Sequence, residues 1–419
     1  LHLLVIAVSL LAEWIGIIKI PIGIGVLVLL PLLYAFIFAI LLNPNVIPSM
    51  RAVITKKRAK FASYAILLSI MPFIAKFGVG VGPNIEEIIA AGPALLLQEL
   101  GNVATVLIAL PVAVLVFGMG REAIGATHSI AREPNVALIA DKYGLQSPEG
   151  IGVMGVYVMG TLFGAIYFSL LAGIIASMEI MDVRALAMAC GIGSGSMMGA
   201  CSAALAETVP SQEETITAFA ATSNLLTYAT GLFVSLFIAL PFTEFLYKIV
   251  SKLKNNKSAD AKTETDFGAV MEEPASLSTM QSFILLAVIC VVLLLSNWVG
   301  QGVDPIDGLP AMLILFACCI IGILLKRFIP VNVPAIAWIS IVAILISLPQ
   351  FPFNAYVLAE TEKLGTLQLL TPVLAYAGFA ISQMEVDLFK KSGFKIAIVA
   401  ILTFTGTFIG SAMIAQVML

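Results

Sequence analysis

The sequence predicts an all-α polytopic membrane protein with about eleven to thirteen membrane elements in two related repeats. Three observations lead to this fold class. The 419 residues are 60% hydrophobic and 11% charged, whereas an average soluble domain carries roughly 25% charged residues. Apolar runs, each near the roughly 20 residues of a spanning helix, follow one another with short loops between them. Similar segments recur in the same order on either side of a polar stretch in the middle of the chain.

Apolar runs account for the predicted elements. They lie at residues 3–19, 22–42, 61–80, 92–118, 150–178, 183–207 and 214–247, and then at 281–299, 309–325, 332–349, 366–389 and 396–418. Residues 248–279 are low in aromatic residues and rich in both charge signs, which is the composition of a flexible linker. We therefore expect a first membrane half at residues 1–247 and a second at 280–419.

Sequence matches between the halves indicate an internal duplication. LLAEWIG at 10–16 matches LLSNWVG at 294–300, LPVAVLVFGMGREAI at 110–124 aligns with TPVLAYAGFAISQMEVDLF at 371–389, and GTLFG at 160–164 matches GTFIG at 406–410. Duplicated halves are the common ground plan of secondary transporters.

The distribution of lysine and arginine predicts the orientation. Both the loop at 43–60 and the linker are rich in these residues, so we expect both to be cytoplasmic. Seven elements before the linker would place it on the opposite side from the start of the chain, whereas the charges require an even number. One element must then enter and leave on the same side, or one run must hold two elements, and the candidates are 183–207 and 80–118. The charges favour parallel halves.

The segment ACGIGSGSMMGACSAALAE at 189–207 has two interpretations. In the first, its glycines form a small-residue face that lets helices pack closely. In the second, the glycines unwind the helix in mid-membrane, because each costs about 1 kcal/mol relative to alanine, and they free backbone carbonyl groups for a solute or ion. We predict a broken element at 183–207, with binding residues Gly193, Ser194, Gly195, Ser196 and Ser202.

The next apolar run carries polar residues close together in its middle. Thr222, Ser223, Asn224 and Thr227 lie within about one and a half helical turns of each other. Polar side chains in such a helix usually face other helices or water, not lipid. We predict that they take part in binding, while hydrogen bonding between helices alone is the other interpretation.

Residues 187–245 combine a glycine-serine break, an acidic turn, and a helix with Ala-Phe-Ala and Asn-Leu-Leu that ends in Leu-Pro. This stretch resembles bacterial lysine-exporter-type carriers, within the broad superfamily of antiporters and bile-acid carriers. The resemblance implies two repeats of inverted topology, broken helices that cross near the midplane, and ion coupling. The exporter pattern has an Arg-Glu pair where this chain has Thr227-Tyr228, so a lysine substrate is not carried over.

Over its full length the chain is similar to a family of uncharacterised bacterial inner-membrane proteins, with GMGREAIGATHSIAREPNVALIADKYG at 118–144 as its most distinctive piece. That resemblance implies a multi-pass protein of the bacterial inner membrane. Residues 118–144 are open to two interpretations. They form a solvated cytoplasmic connection that includes His128, or the polar groups that end a span in each half form gates or ion ligands. Those polar groups are Glu122 in the first half and Gln383, Glu385 and Asp387 in the second.

Glu13 stands inside the first apolar run, where the aligned residue of the second half is Asn297. An ionisable group within a membrane segment is a functional hypothesis by default. Glu13, Glu122 and Asp387 are therefore candidates for ion coupling, although Glu13 lies near the end of its run, where exposure at the interface is equally expected. Asn102 is a candidate to line a cavity.

Other classes of site find little support in the sequence. The five cysteines fall within apolar runs and form no Cys-x-x-Cys pair, which indicates small packing residues and neither a disulfide framework nor a zinc site. The net charge of −3 is too small, and the basic residues too confined to loops, for binding to nucleic acid. The chain has no HExxH, no GxSxG and no paired intramembrane aspartates, so an intramembrane enzyme is disfavoured and no catalytic residue is predicted.

The function that these features favour is a secondary active transporter, with elevator-type movement included in the expectation. It would move a small polar or charged solute, such as an amino acid or an organic anion, and couple to H⁺ or Na⁺. A channel or passive facilitator is the alternative, because it would use the same features without coupling. We expect no cofactor beyond a coupling ion. The expected partners are the solute and the lipid bilayer, with a homodimer left open.

Overall fold

Helices make up most of the computed structural model, which describes residues 1–21, 26–52, 54–130, 133–144, 147–253, 277–329, 335–381 and 383–419. Before the linker the α-helices are α1 (His2–Ile15), α2 (Pro31–Leu41), α3 (Lys56–Val81), α4 (Ile85–Ala90), α5 (Gly92–Leu97), α6 (Gly101–Pro111), α7 (Glu122–Thr127), α8 (Glu133–Tyr143), α9 (Pro148–Met159), α10 (Ala165–Ser177), α11 (Val183–Gly191), α12 (Gly195–Thr208), α13 (Glu213–Val234) and α14 (Leu240–Leu253). After it come α15 (Thr279–Gln301), α16 (Pro305–Phe328), α17 (Ala335–Ser347), α18 (Asn354–Glu362), α19 (Thr366–Ala380) and α20 (Gln383–Met418).

Several helical stretches are long and apolar enough to cross a membrane. Within the described residues there are six, at Tyr64–Ala90, Gly92–Val116, Pro148–Ser177, Thr279–Gln301, Pro305–Phe328 and Phe394–Met418. Shorter apolar helices lie at His2–Ile15, Pro31–Leu41, Ala335–Ser347 and Thr366–Ala380. The predicted class is confirmed at this level, since the chain is a predominantly helical, multi-pass membrane protein. Helix α14 continues into the start of the predicted linker, and residues 254–276 lie outside the described part of the chain.

Helix ends follow local capping chemistry. Ser278 and Gln281 form a capping box at the start of α15, and Gly302, in the left-handed conformation, ends that helix. Asp182 and Ser194 cap α11 and α12 by accepting hydrogen bonds from backbone N–H groups of the first turn. The short polar residues between apolar runs therefore fix where these helices begin.

Part of the apolar run at 22–42 is a β-strand. Strand β1 (Ile18–Pro21) pairs antiparallel with β2 (Val26–Leu29), and α2 begins only at Pro31. The β-branched residues of both strands favour extended backbone, and Pro31 is suited to the first turn of a helix. The expectation of one apolar helical element across this run is wrong for Val26–Leu29, while residues 22–25 lie outside the described part of the chain.

The chain reverses direction between α11 and α12. A disulfide joins Cys190 of α11 to Cys201 of α12, with 5.4 Å between their Cα atoms. Residues this far apart in a continuous helix would be separated by about 16 Å. The two helices therefore pack side by side, and the expectation that all cysteines are packing residues is wrong for this pair, because the fold brings together two thiols that sequence spacing alone did not relate. Cys290, Cys318 and Cys319 are free and buried.

The described helices pack in two groups, each with members from both sides of the linker. The first group contains α1–α3 and α15–α19, and the second contains α5–α14 and α20. The groups meet where α3 contacts α13, where α12 contacts α19 and where α10 contacts β2. The segment at 189–207 thus belongs to the second group and lies at its boundary with the first.

Candidate functional site

The segment singled out in the sequence lies at the junction of α11 and α12. Helix α11 ends at Gly191 and α12 begins at Gly195, with Ser194 as its N-cap residue. The hydroxyl groups of Ser194 and Ser196 lie 3.2 Å apart. We call residues 191–194 the junction. It is enclosed by Phe168 of α10, by α3 and by α13.

Two side chains of α13 hold the backbone of the junction. The Asn224 side-chain amide donates hydrogen bonds to the carbonyl oxygens of Gly191 at 2.7 Å and Gly193 at 2.9 Å. The Ser223 hydroxyl donates to the carbonyl oxygen of Met188 at 2.6 Å. Carbonyl groups at the end of a helix lack partners within it, so these side chains replace the missing donors. Ser223 and Asn224 are both buried.

A 3₁₀ turn within the helical stretch Gly92–Val116 reaches the same place. Between α4 and α6 the chain forms only short helical pieces, with residues Gln98–Leu100 in a 3₁₀ turn. The Gln98 side-chain amide donates to the Ser223 hydroxyl at 2.6 Å, and the Thr227 hydroxyl donates to the Glu99 carboxylate. From α20, the Ser411 hydroxyl donates to the Gln98 carbonyl oxygen at 2.8 Å.

These contacts join into one buried set, which we call the central polar network. It consists of Gln98, Glu99, Ser223, Asn224, Thr227 and Ser411, with the carbonyl groups of Met188, Gly191 and Gly193. Glu99 is 1% exposed and Gln98 is fully buried. Asn224 and Thr227 lie near the middle of α13, so the network lies deep within the helical body.

A small cavity adjoins the network at the boundary between the two helix groups. Its volume is about 10 Å³, and its walls include Phe77 of α3, Met198 of α12, Asn224 of α13 and Ser340 of α17. That volume is close to the minimum that a single water molecule requires. This cavity therefore has room for about one water molecule and not for an organic solute.

The glycines near the junction also fit the packing interpretation. A Cβ atom on Gly191 would overlap Ser223, one on Gly193 would come within 2.7 Å of the Met197 side chain, and one on Gly195 within 2.8 Å of Ile70. The small residues thus let α13 and α3 approach the junction closely. Close packing and the interrupted helix occur at the same residues.

Several predicted binding residues do not reach the network. The Ser202 hydroxyl donates to carbonyl oxygens of its own helix, at Met198 and Gly199, and the Thr222 hydroxyl donates to Ala218 in its own helix. Glu13 lies in α1, in the other helix group. The side chains of Asn102, Gln383, Glu385 and Asp387 lie outside the described residues.

Sequence reasoning missed Gln98 and Ser411. Gln98 adjoins Glu99, an ionisable residue in an apolar run, and that was the available signal. Ser411 offered none, because single serines are common in apolar helices and hydrogen-bond within them.

The expectation of a solvated connection at 118–144 is wrong for its first part. Residues 123–130 are all buried, His128 completely. Helix α7 crosses α9 so closely that a Cβ atom on Gly125 or Gly152 would overlap a backbone carbonyl oxygen of the facing helix, at Glu149 or Glu122. Glycines at the crossing allow this approach. The close packing of α7 on α9 buries residues whose sequence neighbours are charged.

Charged side chains of this region gather where α9 begins. Arg121 Nε donates to Glu149 Oε1 at 2.5 Å, and Glu244 of α14 accepts a hydrogen bond from the Tyr143 hydroxyl. Lys142 Nζ lies 3.9 Å from Glu244. Burial and the neighbouring Glu244 raise the pKa of Tyr143 above its ordinary value. Glu122 accepts a hydrogen bond from the backbone N–H of Gly120, so it shapes the turn and does not join the cluster.

A metal centre finds no support in the part of the chain that the structure describes. No three His, Cys, Asp or Glu side chains come together there as ligands. The chemistry that the central polar network can perform is recognition by oxygen atoms and amide groups, with Glu99 as its ionisable member.

Comparison with known proteins gives one match. No curated protein and no solved structure matches the chain. The model of the family described as "Protein of unknown function (DUF3100)" matches residues 10–249, more than half of the chain, and this range contains the junction and every member of the central polar network except Ser411. The chain therefore belongs to the DUF3100 family.

Proposed function

We propose that this protein is a secondary active transporter of the bacterial inner membrane, which moves a small polar or charged solute such as an amino acid or organic anion and couples this movement to H⁺ or Na⁺ as a symporter or antiporter. One observation carries the proposal. The non-helical junction at 191–194 and the 3₁₀ turn at 98–100 meet in a buried polar network in the middle of a membrane protein. Non-helical backbone at membrane depth is tolerated where protein buries it or where it lines an aqueous cavity.

In this proposal α11 and α12 form a re-entrant hairpin, which enters the membrane and leaves on the same side. The disulfide between Cys190 and Cys201 supports it, because the two helices lie side by side. The hairpin removes one crossing from the seven apolar runs before the linker. The remaining six place the linker on the same side as the start of the chain, as the lysines and arginines require.

Contacts at the ends of the helices support the same orientation. Arg184, at the start of α11, lies 3.7 Å from Glu87, and Glu207, at the end of α12, lies 3.4 Å from Lys19. Glu87 follows the end of α3, whereas the lysine-rich loop precedes its beginning. Both ends of the hairpin thus lie on the side away from the lysine-rich loop, which we assign to the outside. The same orientation runs α1 and α15 parallel, as expected for parallel repeats.

The two helix groups support an elevator-type movement. The hairpin, α13 and α20 belong to one group, and the cavity lies at the boundary with α3 and α17 of the other. A shift of the second group against the first would open this boundary to one side of the membrane and then to the other. Because the cavity holds about one water molecule, the structure represents a closed state in this scheme.

The test uses purified protein in proteoliposomes under an imposed pH or sodium gradient. Currents on a solid-supported membrane are recorded for a panel of amino acids and carboxylates. We expect at least one solute to produce a gradient-dependent current. Asn224→Ala should reduce the rate roughly tenfold or more, because unsatisfied buried carbonyl groups cost about 1–3 kcal/mol each and reshape the junction.

Thr222→Ala is the matched control on the same helix, since its hydroxyl bonds only to Ala218. Its currents should equal those of the unmodified protein. Uptake of solute that ignores both gradients would replace the proposal with a channel or passive facilitator. Equal losses in the two variants would remove the central polar network as the site.

A further inference from the structure

A second set of buried polar atoms lies between α1 and α15, apart from the central polar network. Glu13 is 6% exposed, and Ser9 and Ser296 are fully buried. Among the residues that the structure describes, none hydrogen-bonds to Glu13 Oε1, Ser9 Oγ or Ser296 Oγ. Buried polar atoms nearly always have partners, so three orphaned oxygens on two contacting helices point to a bound ion or water.

Helix geometry brings these atoms to one place. A Cβ atom on Gly300 of α15 would overlap Glu13 Oε2, so the carboxylate lies directly against α15. Ser9 precedes Glu13 by four residues and Ser296 precedes Gly300 by four, so each serine lies one turn before the contact on the same face of its helix. Helices α1 and α15 pack side by side and both end at this contact. This spacing places both serines on the helix faces that carry the contact between Glu13 and Gly300.

The countercharge for Glu13 does not come from the helices around it. Helices α1, α2, α15 and α19 contain no lysine or arginine. His2 lies at the far end of α1, where it bonds to Tyr376 at 2.6 Å, and Lys363, in the loop before α19, pairs with Glu360 at 2.9 Å. The neighbours of Glu13 on α19 are Gln368, whose amide donates to Oε2 at 3.3 Å, and Thr371. A buried carboxylate without a countercharge is costly, which favours a bound cation.

We propose that Glu13, Ser9 and Ser296 form a binding site for a sodium ion. Small hard cations take oxygen ligands, and a cation can engage all three orphaned oxygens, whereas a proton on Glu13 would provide only one hydrogen bond. Gly300 makes room for the carboxylate. A role of this sodium ion in driving solute movement rests on the proposed function. Sodium binding itself does not depend on that function.

Thermal unfolding of the purified full-length protein tests the site without any transport. Melting is compared in sodium, potassium and choline chloride at equal ionic strength and fixed pH. We expect sodium to raise the melting temperature by about 2–5 °C in a saturable way, because a ligand of the folded state stabilises by mass action. Glu13→Gln should abolish the sodium-specific part.

Glu207→Gln is the control, because Glu207 is a partly exposed carboxylate that pairs with Lys19 and lies outside the proposed site. This variant should keep the full sodium response. The double variant Ser9→Ala with Ser296→Ala retains the carboxylate and guards against misfolding of Glu13→Gln. It should need several-fold more sodium for half the effect. A sodium response unchanged in Glu13→Gln, or a response to pH alone, overturns the site. Loss of transport with this sodium response intact would count against the proposed function only.

Discussion

His128 is completely buried although its sequence neighbours are charged. Its Nδ1 atom lies 3.0 Å from the Gly125 carbonyl oxygen, and the Ser129 hydroxyl lies 3.3 Å from Nε2. Burial lowers the pKa of His128 from 6.5 to about 4, because the charged imidazolium form is poorly solvated there. His128 lies between the spanning stretches that end at Val116 and begin at Pro148. It is neutral in the folded protein at physiological pH.

This burial predicts a loss of stability in acid. Neutral His128 contributes its full stabilisation above its unfolded pKa near 6.5, and the contribution disappears as the pH falls through the folded value of about 4. Across that window the unmodified protein should lose about 3 kcal/mol that His128→Asn does not lose. Chemical unfolding at a series of pH values measures the difference. Ser129→Ala keeps the imidazole and should retain the slope, whereas parallel curves for His128→Asn and the unmodified protein would contradict the burial argument.

At the same scale, the sequence singled out the residues of α13 that take part in the central polar network, as candidates for binding, but not all of their partners. Ser223, Asn224 and Thr227 stood out because polar residues are costly in an apolar helix. Thr222 stood out for the same reason, yet its hydroxyl bonds within its own helix, because composition does not fix which side of a helix faces the junction. Gln98 contacts Ser223, and Ser411 contacts Gln98, only because the tertiary fold brings their helices together.

At the scale of elements, glycine spacing decides how closely helices cross. Gly152 lies in α9 and faces the Glu122 carbonyl oxygen of α7. Gly160 begins the π-helical turn between α9 and α10, and the nearest neighbour of a Cβ atom added there would be Phe404 at 3.5 Å. The first position has no room for a methyl group, whereas the second has ordinary van der Waals space.

Substitution at these two glycines should therefore have opposite results. Gly152→Ala should destabilise the protein by about 2 kcal/mol or more, because the methyl group forces α7 away from α9. Gly160→Ala, in the same spanning stretch, should be neutral or stabilising by up to about 1 kcal/mol, because alanine favours helix. Midpoints of chemical unfolding for both variants provide the measurement. Similar midpoints would mean that α7 does not pack on α9 as described.

Element prediction was most successful where length and hydropathy agree. The long apolar runs formed helices, but the strands Ile18–Pro21 and Val26–Leu29 were missed. Apolar β-branched residues give the same mean hydropathy in a strand as in a helix, so hydropathy alone does not separate the two. The interruption between α11 and α12 falls inside the stretch at 183–207 that the sequence singled out. Glycine lowers helix stability whatever its tertiary surroundings, so this feature was visible in the sequence.

At the scale of the whole molecule, the grouping of helices could not be predicted. Each group combines helices from both sides of the linker, and apolar helices carry little information about their partners because lipid and neighbouring helices are similarly apolar. The contact of Glu13 with Gly300 is one that the sequence alone did not predict. The sequence aligned their two segments as related repeats, and the fold placed them side by side.

The proposed re-entrant hairpin makes a prediction about the whole topology. Glu179 and Ser211 flank it, and both are exposed, as are Arg51 and Lys252. Single cysteines at 179 and 211 should react with a membrane-impermeant maleimide from the same side of sealed vesicles. Cysteines at 51 and 252 should react only from the other side, because these positions belong to the lysine-rich regions. The free native cysteines are buried, so the background should be low. Labelling of 179 and 211 from opposite sides would mean that residues 183–208 cross the membrane, and both the hairpin and the even number of crossings would then be wrong.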